Sequence, residues 1–172
     1  MKCIDGLKKR LSINNTIVIQ NEDGYVEEVL VKFNPPISIE EIDKFEKTNN
    51  ITLPDSYKEF LQITNGATLF KDMKYGQWGC NILSIDELYK KTNYLRDVGF
   101  LIKDCWLIFA EWLGDGDILL FDLDKIKKLS KDYILDGDEG YNSIKWEYIK
   151  GDFEDWIDRL IVSQGSKYWR WY

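Results

Sequence analysis

Acidic side chains are the residues of this chain most able to do chemistry, and they crowd into one stretch. Glu111, Asp115, Asp117, Asp122 and Asp124 fall there with no Lys or Arg among them. Oxygen-rich spacing of this kind can bind calcium, but the register lacks the further oxygen ligands and the terminal Glu of an EF-hand loop. Asp115-Gly116-Asp117 reads more simply as a turn. Glu111 and Asp122 fall on predicted strands, where two carboxylates could face each other as the acid and base of a glycosidase. The competing reading is that each is an ordinary surface carboxylate. Gly114 to Gly116 is no phosphate cradle, because the downstream Gly-Lys-Ser/Thr of a P-loop is missing and its neighbours are anions.

Absences narrow the chemistry further. The 172 residues contain no His, which removes Ser-His-Asp and Cys-His nucleophile activation, the common His-containing zinc sites and the usual proton shuttle near neutrality. Cys3, Cys80 and Cys105 are odd in number and scattered, so neither a disulfide framework nor a zinc knuckle is expected. Cys105 is expected in a strand and Cys80 near a turn. No cofactor, metal site or catalytic group is implied. A net charge of −7 disfavours a nucleic-acid backbone as ligand and steers towards a basic partner. No apolar run reaches the ~20 residues of a membrane span, and Met1 to Gly6 does not lead into a signal peptide. The expected location is the cytoplasm.

Two sets of residues suit binding another protein. Asp115, Asp117 and Asp122, with Glu111, Trp112, Asp136, Asp138 and Glu139, would make a negative docking face if their turns share one end of a sheet; otherwise they form a solvated surface. Asp152, Glu154, Asp155 and Asp158 add to the acidity. The tail Lys167-Tyr168-Trp169-Arg170-Trp171-Tyr172 holds the side-chain types that dominate binding hot spots, and Trp78 stands in a loop after Met73. The alternative for Trp169, Trp171 and Trp78 is packing onto their own fold.

The elements that must position these residues are legible. Ser38 and Glu41 form a capping box, with Ile37 and Ile42 placed as a hydrophobic staple. Ile39, Ile42 and Phe45 continue as an apolar stripe to Thr48-Asn49-Asn50. Pro54 and Asp55 open a second helix. Tyr57, Phe60, Leu61 and Thr64 line its inner face, and Asn65-Gly66 supplies a positive-φ stop. Before this pair, residues 2–11 predict a short helix with Ile4, Leu7, Lys8 and Leu11 on one side. Residues 16–19, 25–26 and 29–33 predict strands around a turn at 21–24. After it come a strand over 67–70, a loop from Lys71 to Gly79, and a helix opened by the box Ser84-Ile85-Asp86-Glu87 with Ile85, Leu88, Tyr89 and Leu95 inside. Residues 106–110 and 118–121 are continuous apolar runs suited to central strands. Residues 133–135 add a strand before a turn at Asp136-Gly137-Asp138. Phe153, Trp156, Ile157, Leu160 and Ile161 make an amphipathic helix closed by Gly165.

The helix pair resembles the SUKH superfamily, which includes fungal cell-wall-synthesis regulators and bacterial toxin-immunity proteins. Glu46, Leu53-Pro54, Tyr57, Phe60-Leu61 and Asn65-Gly66 carry the likeness. Phe109 to Leu123 is similar to the family's strand, Gly/Asp turn and strand ending in Asp, and Phe153 to Ile157 to its closing helix. The likeness covers about Pro35 to Ile161, leaving an N-terminal extension, 1–34, and an aromatic tail, 162–172. With 44% hydrophobic residues, 7 Trp, 10 Tyr and 8 Phe, the chain can bury one substantial core. The expected fold is therefore a single α+β domain over 1–172, with a twisted, mainly antiparallel sheet and helices packed around it. The resemblance implies a non-catalytic protein-binding domain, an immunity protein that occludes a cognate basic toxin, such as a nuclease. The alternatives are a regulatory adaptor of a cellular enzyme and, from another class, a carboxylate-dependent glycoside hydrolase.

Overall fold

In the computed structural model, residues 1–21, 23–138 and 146–171 are described. Among them are α1 (Lys2–Arg10), β1 (Thr16–Gln20), β2 (Val26–Phe33), α2 (Ile39–Asn49), α3 (Asp55–Ile63), β3 (Ala67–Asp72) and β4 (Cys80–Ile82). There follow α4 (Ile85–Asp97), β5 (Trp106–Trp112), β6 (Ile118–Asp122), α5 (Leu123–Lys127), β7 (Ile134–Gly137), β8 (Glu147–Ile149), α6 (Phe153–Val162) and a 3-10 turn, Tyr168–Arg170. The eight strands form one antiparallel sheet in sequence order. The expected α+β class holds.

That order has a geometric consequence. In an antiparallel meander the connections alternate between the two ends of the sheet. The links β1–β2, β3–β4, β5–β6 and β7–β8 share one end, the hairpin end. The links carrying α2 with α3, α4 and α5 share the other, the helix end, where α6 also begins. Helix α6 then runs back over one face, packed on α1 and α3, and delivers the C-terminal segment to the hairpin end.

Local chemistry sets each helix. Ser38 and Glu41 form their box, with Ser38 N–H on Glu41 Oε2 at 2.9 Å, and Asn50 ends α2 in the left-handed conformation. Ile42 is buried, whereas Ile39 lies largely outside the core. Asp152 caps α6 by accepting from Asp155 N–H at 3.0 Å. Helix α3 ends on extended Thr64 rather than on Gly66. Gly66, at φ +88°, serves a close approach instead: a Cβ there would lie 2.8 Å from Ser84 N and 2.9 Å from the Ile82 carbonyl oxygen.

The core is an aromatic cluster between α3, α6 and the central strands. The Tyr57 ring meets Phe60, Phe109, Phe121 and Phe153 at centroid distances of 6.0, 6.2, 5.0 and 5.0 Å, and its hydroxyl donates to Leu83 C=O at 3.0 Å. Burial pushes the Tyr57 phenol far above its usual pKa, so it stays a neutral donor. Strand β4 is short, and α4 completes the edge of β5 beyond it. Thr92 Oγ1 accepts the Ile108 N–H at 3.0 Å, and one turn later Arg96 donates to Trp106 C=O at 3.3 Å. Buried strand groups next to a bulge at Ile108/Ala110 are thereby satisfied by side chains. The outer edge of β1 is handled in the same way: Ser12 Oγ accepts the Thr16 N–H at 3.1 Å and Gln164 Oε1 the Gln20 N–H at 2.7 Å, leaving little edge to pair with another chain.

Several expectations are corrected. Cys105 lies in the turn just before β5 rather than in the strand, while Cys80 is the buried first residue of β4, directly after the β3–β4 turn. Asp136 and Gly137 belong to β7, not to a turn. Gly137 is in the strand because a Cβ there would press on Ile118 and Leu120 at 2.9 and 3.0 Å. Strands β4 and β8 and helix α5 were not predicted. The predicted turn at 21–24 includes residue 22, and Glu139 is residue 139; both lie outside the described residues.

Candidate functional site

The residues behind the family resemblance are structural ties. Glu46 Oε1 accepts the Leu53 N–H at 2.6 Å, joining α2 to the entry of α3. Asn65 Oδ1 accepts the Ile85 N–H at 2.8 Å at the start of α4, while Asn34 Nδ2 donates to Asn65 C=O at 2.9 Å. These contacts lock the helix pair to β4 and α4.

The predicted acid and base pair does not assemble. Trp106 pairs with Asp122 and Glu111 with Ile118, so the two carboxylates sit at opposite ends of the β5–β6 ladder. Four strand positions separate them, about 13 Å at the usual rise, beyond the ~5–9.5 Å that glycosidases use. Each carboxylate has a structural employment. Asp122 accepts the Asp124 and Lys125 N–H groups at 3.1 Å as the N-cap of α5, and the Tyr148 hydroxyl at 2.6 Å. Glu111 accepts from Asn81 at 3.2 Å and pairs with Lys91 at 2.5 Å. Among the described residues no three His, Cys, Asp or Glu side chains are placed to hold a metal ion.

The other predicted site residues gather towards the hairpin end. Asp115 Oδ1 accepts the Asp117 N–H at 3.1 Å, shaping the β5–β6 turn. The tail folds back over it. Lys167 Nζ pairs with Asp115 at 2.6 Å and also with Asp117. Arg170 pairs with Asp117 and makes a bidentate contact to Asp136, 2.7 Å on each arm. The paired hydrogen bond to Asp136 lifts the guanidinium pKa further, against burial. Trp169 stands edge-on to Trp112 with centroids 5.5 Å apart, and Lys167 Nζ lies 5.1 Å from the Trp112 ring centre. Trp112 is buried and Trp169 half-buried, whereas Trp171 is exposed. Asp138 follows β7, and its carbonyl accepts from Trp146 Nε1 at 3.3 Å. Asp122 stands apart from this group, at the helix end. Beside the tail a groove of about 830 Å³ is lined by Asp136, Trp146, Tyr148, Arg159, Tyr168 and Trp169 among others.

Trp78 is exposed over 59% of its surface on the β3–β4 tip. Its backbone adopts φ +58°, a conformation that costs an L-residue roughly 1–2 kcal/mol. The Trp78 N–H, donating to Leu113 C=O at 2.6 Å, holds it there and joins the two neighbouring tips. Tyr75 packs edge-on against it at 6.2 Å, and Met73 and Tyr75 are exposed as well. Reading the loop by type found Trp78 but passed over Met73 and Tyr75, which carry the same signal.

Residues 36–159 match the model of the SMI1 / KNR4 family (SUKH-1). The chain belongs to the SUKH-1 family. Two relatives from Bacillus subtilis (strain 168) are similar over most of this SUKH-1 chain. Uncharacterized protein YobM is 25% identical over 182 residues, covering 99% of this chain and 90% of its own. Uncharacterized protein YnaB is 26% identical over 151 residues, covering 84% and 90%. The matched span includes the Trp78 tip, the Asp115–Asp117 turn and β7, and stops before the tail. Segments outside it are nonetheless integral to the packing: β1 and β2 are the first strands of the sheet, and α1 rests on α6.

Proposed function

We propose that this SUKH-1 protein acts without catalysis, by binding another protein through the hairpin end of its sheet, and that it is an immunity protein. The partner is a basic bacterial toxin, met in the cytoplasm and neutralised by stoichiometric occlusion; a nuclease fits the charge. The observation that carries the reading is the exposed Tyr75–Trp78 pair on a backbone held at positive φ. Strain kept at an exposed aromatic points to use of the side chain rather than to folding, and Trp and Tyr are the side chains that anchor interfaces. Carboxylates at Asp115, Asp117, Asp136 and Asp138 lie at the same end of the sheet and suit encounter with a basic surface. Glu111, Trp112, Trp169 and Trp171 border the same area, and Asp122 would contribute only to the long-range field.

The test is capture on the immobilised protein from the source cell's lysate and secreted fraction at moderate salt, with mass spectrometry of what is retained. The reading expects one toxin domain, lost on Trp78→Ala. Recovery of cellular enzymes alone, insensitive to Trp78, would replace immunity with the adaptor role.

A further inference from the structure

The tail brings together two features that look unrelated along the sequence. Asp115, Asp117 and Asp136 converge at the hairpin end, and the cations facing them, Lys167 and Arg170, come from the C-terminal segment. Three carboxylates meet two cations, so the seat keeps an uncompensated negative charge. Trp112 forms its floor, taking the Trp169 edge and the Lys167 ammonium. The chain's own basic, aromatic tail fills this seat.

The tail is a poor occupant. Its 3-10 turn has no fully buried residue, and such short turns hold themselves weakly. Trp169 Nε1 is buried with no hydrogen-bond partner, an arrangement that opposes the gain from the ring contact. Asp117 and Asp136 are largely buried, so the cost of desolvating these charges offsets much of what their pairing with Lys167 and Arg170 gains. Gln164, at φ +56°, and Gly165, at φ +93°, form the joint between α6 and the tail. Gly165 is required there, since a Cβ would lie 2.8 Å from Phe70 Cβ.

We propose that the seat of Asp115, Asp117, Asp136 and Trp112 is the docking surface for a basic, aromatic segment of the partner protein, and that Lys167–Trp171 occupies it until the partner displaces it. This deepens the protein-binding reading and rests on it. The tail sits at high effective concentration because it is tethered, so the partner's apparent affinity is lowered by the fraction of molecules in which the seat is filled. A segment with three cations matches the seat better than the tail does. Competition with the tail therefore selects against weakly basic proteins.

The experiment uses the full chain and a synthetic peptide of its own residues 163–172 as the probe, followed by fluorescence anisotropy at low salt. The double variant Lys167→Ala/Arg170→Ala, checked by circular dichroism and melting, is expected to bind the peptide at least about tenfold more tightly than wild type. Asp117→Asn added to it is expected to remove the gain. Equal binding by wild type and the double variant, or by neither, overturns the proposal. Should the double variant not fold, hydrogen exchange on wild type decides. Amides of 168–171 are expected to exchange at least about a hundredfold faster than those of the α6 centre, and exchange of tail and α6 as one unit overturns the proposal that the tail is displaceable. A partner captured through Trp78 but held no more strongly by the double variant also overturns it, while leaving the protein-binding reading in place. Loss of capture with retained peptide binding does the opposite.

Discussion

The two ends of the sheet are built by different rules. At the helix end, polar groups tie neighbouring elements together: Glu46 takes the Leu53 N–H, Asn65 takes the Ile85 N–H, Thr92 takes the Ile108 N–H and Tyr57 donates to Leu83. The aromatic cluster around Tyr57 and Phe121 is closed to solvent. At the hairpin end, Met73, Tyr75, Trp78 and Trp171 are exposed. Phe70, Trp78 and Gln164 adopt positive φ, and the tail is held mainly by charge. Left-handed backbone and exposed apolar groups occur at both ends, Asn50 and Leu129 among those at the helix end. The contrast is that the hairpin end sets an exposed aromatic pair, Tyr75 and Trp78, beside ion-paired carboxylates, whereas the helix end uses its polar groups to join elements. The helix-pair residues of the family resemblance fix the fold at the helix end, while the proposed partner-binding surface lies at the hairpin end.

The largest expected effect comes from the helix end. Phe121→Ala removes a ring stacked on Phe109 at 4.0 Å and edge-on to Tyr57. Chemical denaturation should show a loss of about 3–5 kcal/mol. A loss under 1 kcal/mol would erase the contrast between the ends. Next, Thr92→Val keeps the shape but strands the buried Ile108 N–H, an expected loss of about 1–3 kcal/mol. Full stability in that variant would mean that α4 does not complete the edge of β5.

At the hairpin end the sign should reverse. Trp78→Gly relieves the positive φ and removes an exposed ring, so stability is expected to stay level or rise by up to about 1 kcal/mol, while capture of the partner is lost. A clear destabilisation would make Trp78 a packing residue.

How legible all this was depends on how local each signal is. The Ser38 and Ser84 boxes, the Phe153–Ile161 stripe and the apolar runs of β5 and β6 are written in neighbouring residues and were read correctly. Strands β4 and β8 have three residues each, too few to show a period. Gly137 resembled a turn because a glycine that yields to Ile118 and Leu120 looks the same in sequence as one that bends the chain. Along the sequence the acidic turn and the basic aromatic tail stand as two separate candidates. Lys167 meets Asp115 across 52 positions, and Arg170 meets Asp136 across 34; no local pattern reports such a pairing. Lys167 and Arg170, three apart in an otherwise aromatic tail, were the available hint.

The smallest prediction concerns acid. Hydrogen bonds from the Ser38 backbone and hydroxyl hold the Glu41 carboxyl below its ordinary pKa. With the folded value depressed, its contribution to α2 is present above the unfolded pKa, ~4.3, and is lost as pH falls through the folded value. The melting difference between wild type and Glu41→Ala should therefore be constant near neutrality and shrink below about pH 4. A difference that persists in acid would mean that Glu41 contributes through its uncharged side chain rather than through its carboxylate.

The most direct test of a binding hairpin end is hydrogen-exchange footprinting of the protein with its captured partner bound. Protection over 73–78, 113–117 and the strands beside them, with α5 and the exposed Leu129 just after it unchanged, is the predicted result. Protection confined to α5 and the 98–105 loop, with the β3–β4 tip still exchanging freely, would contradict it.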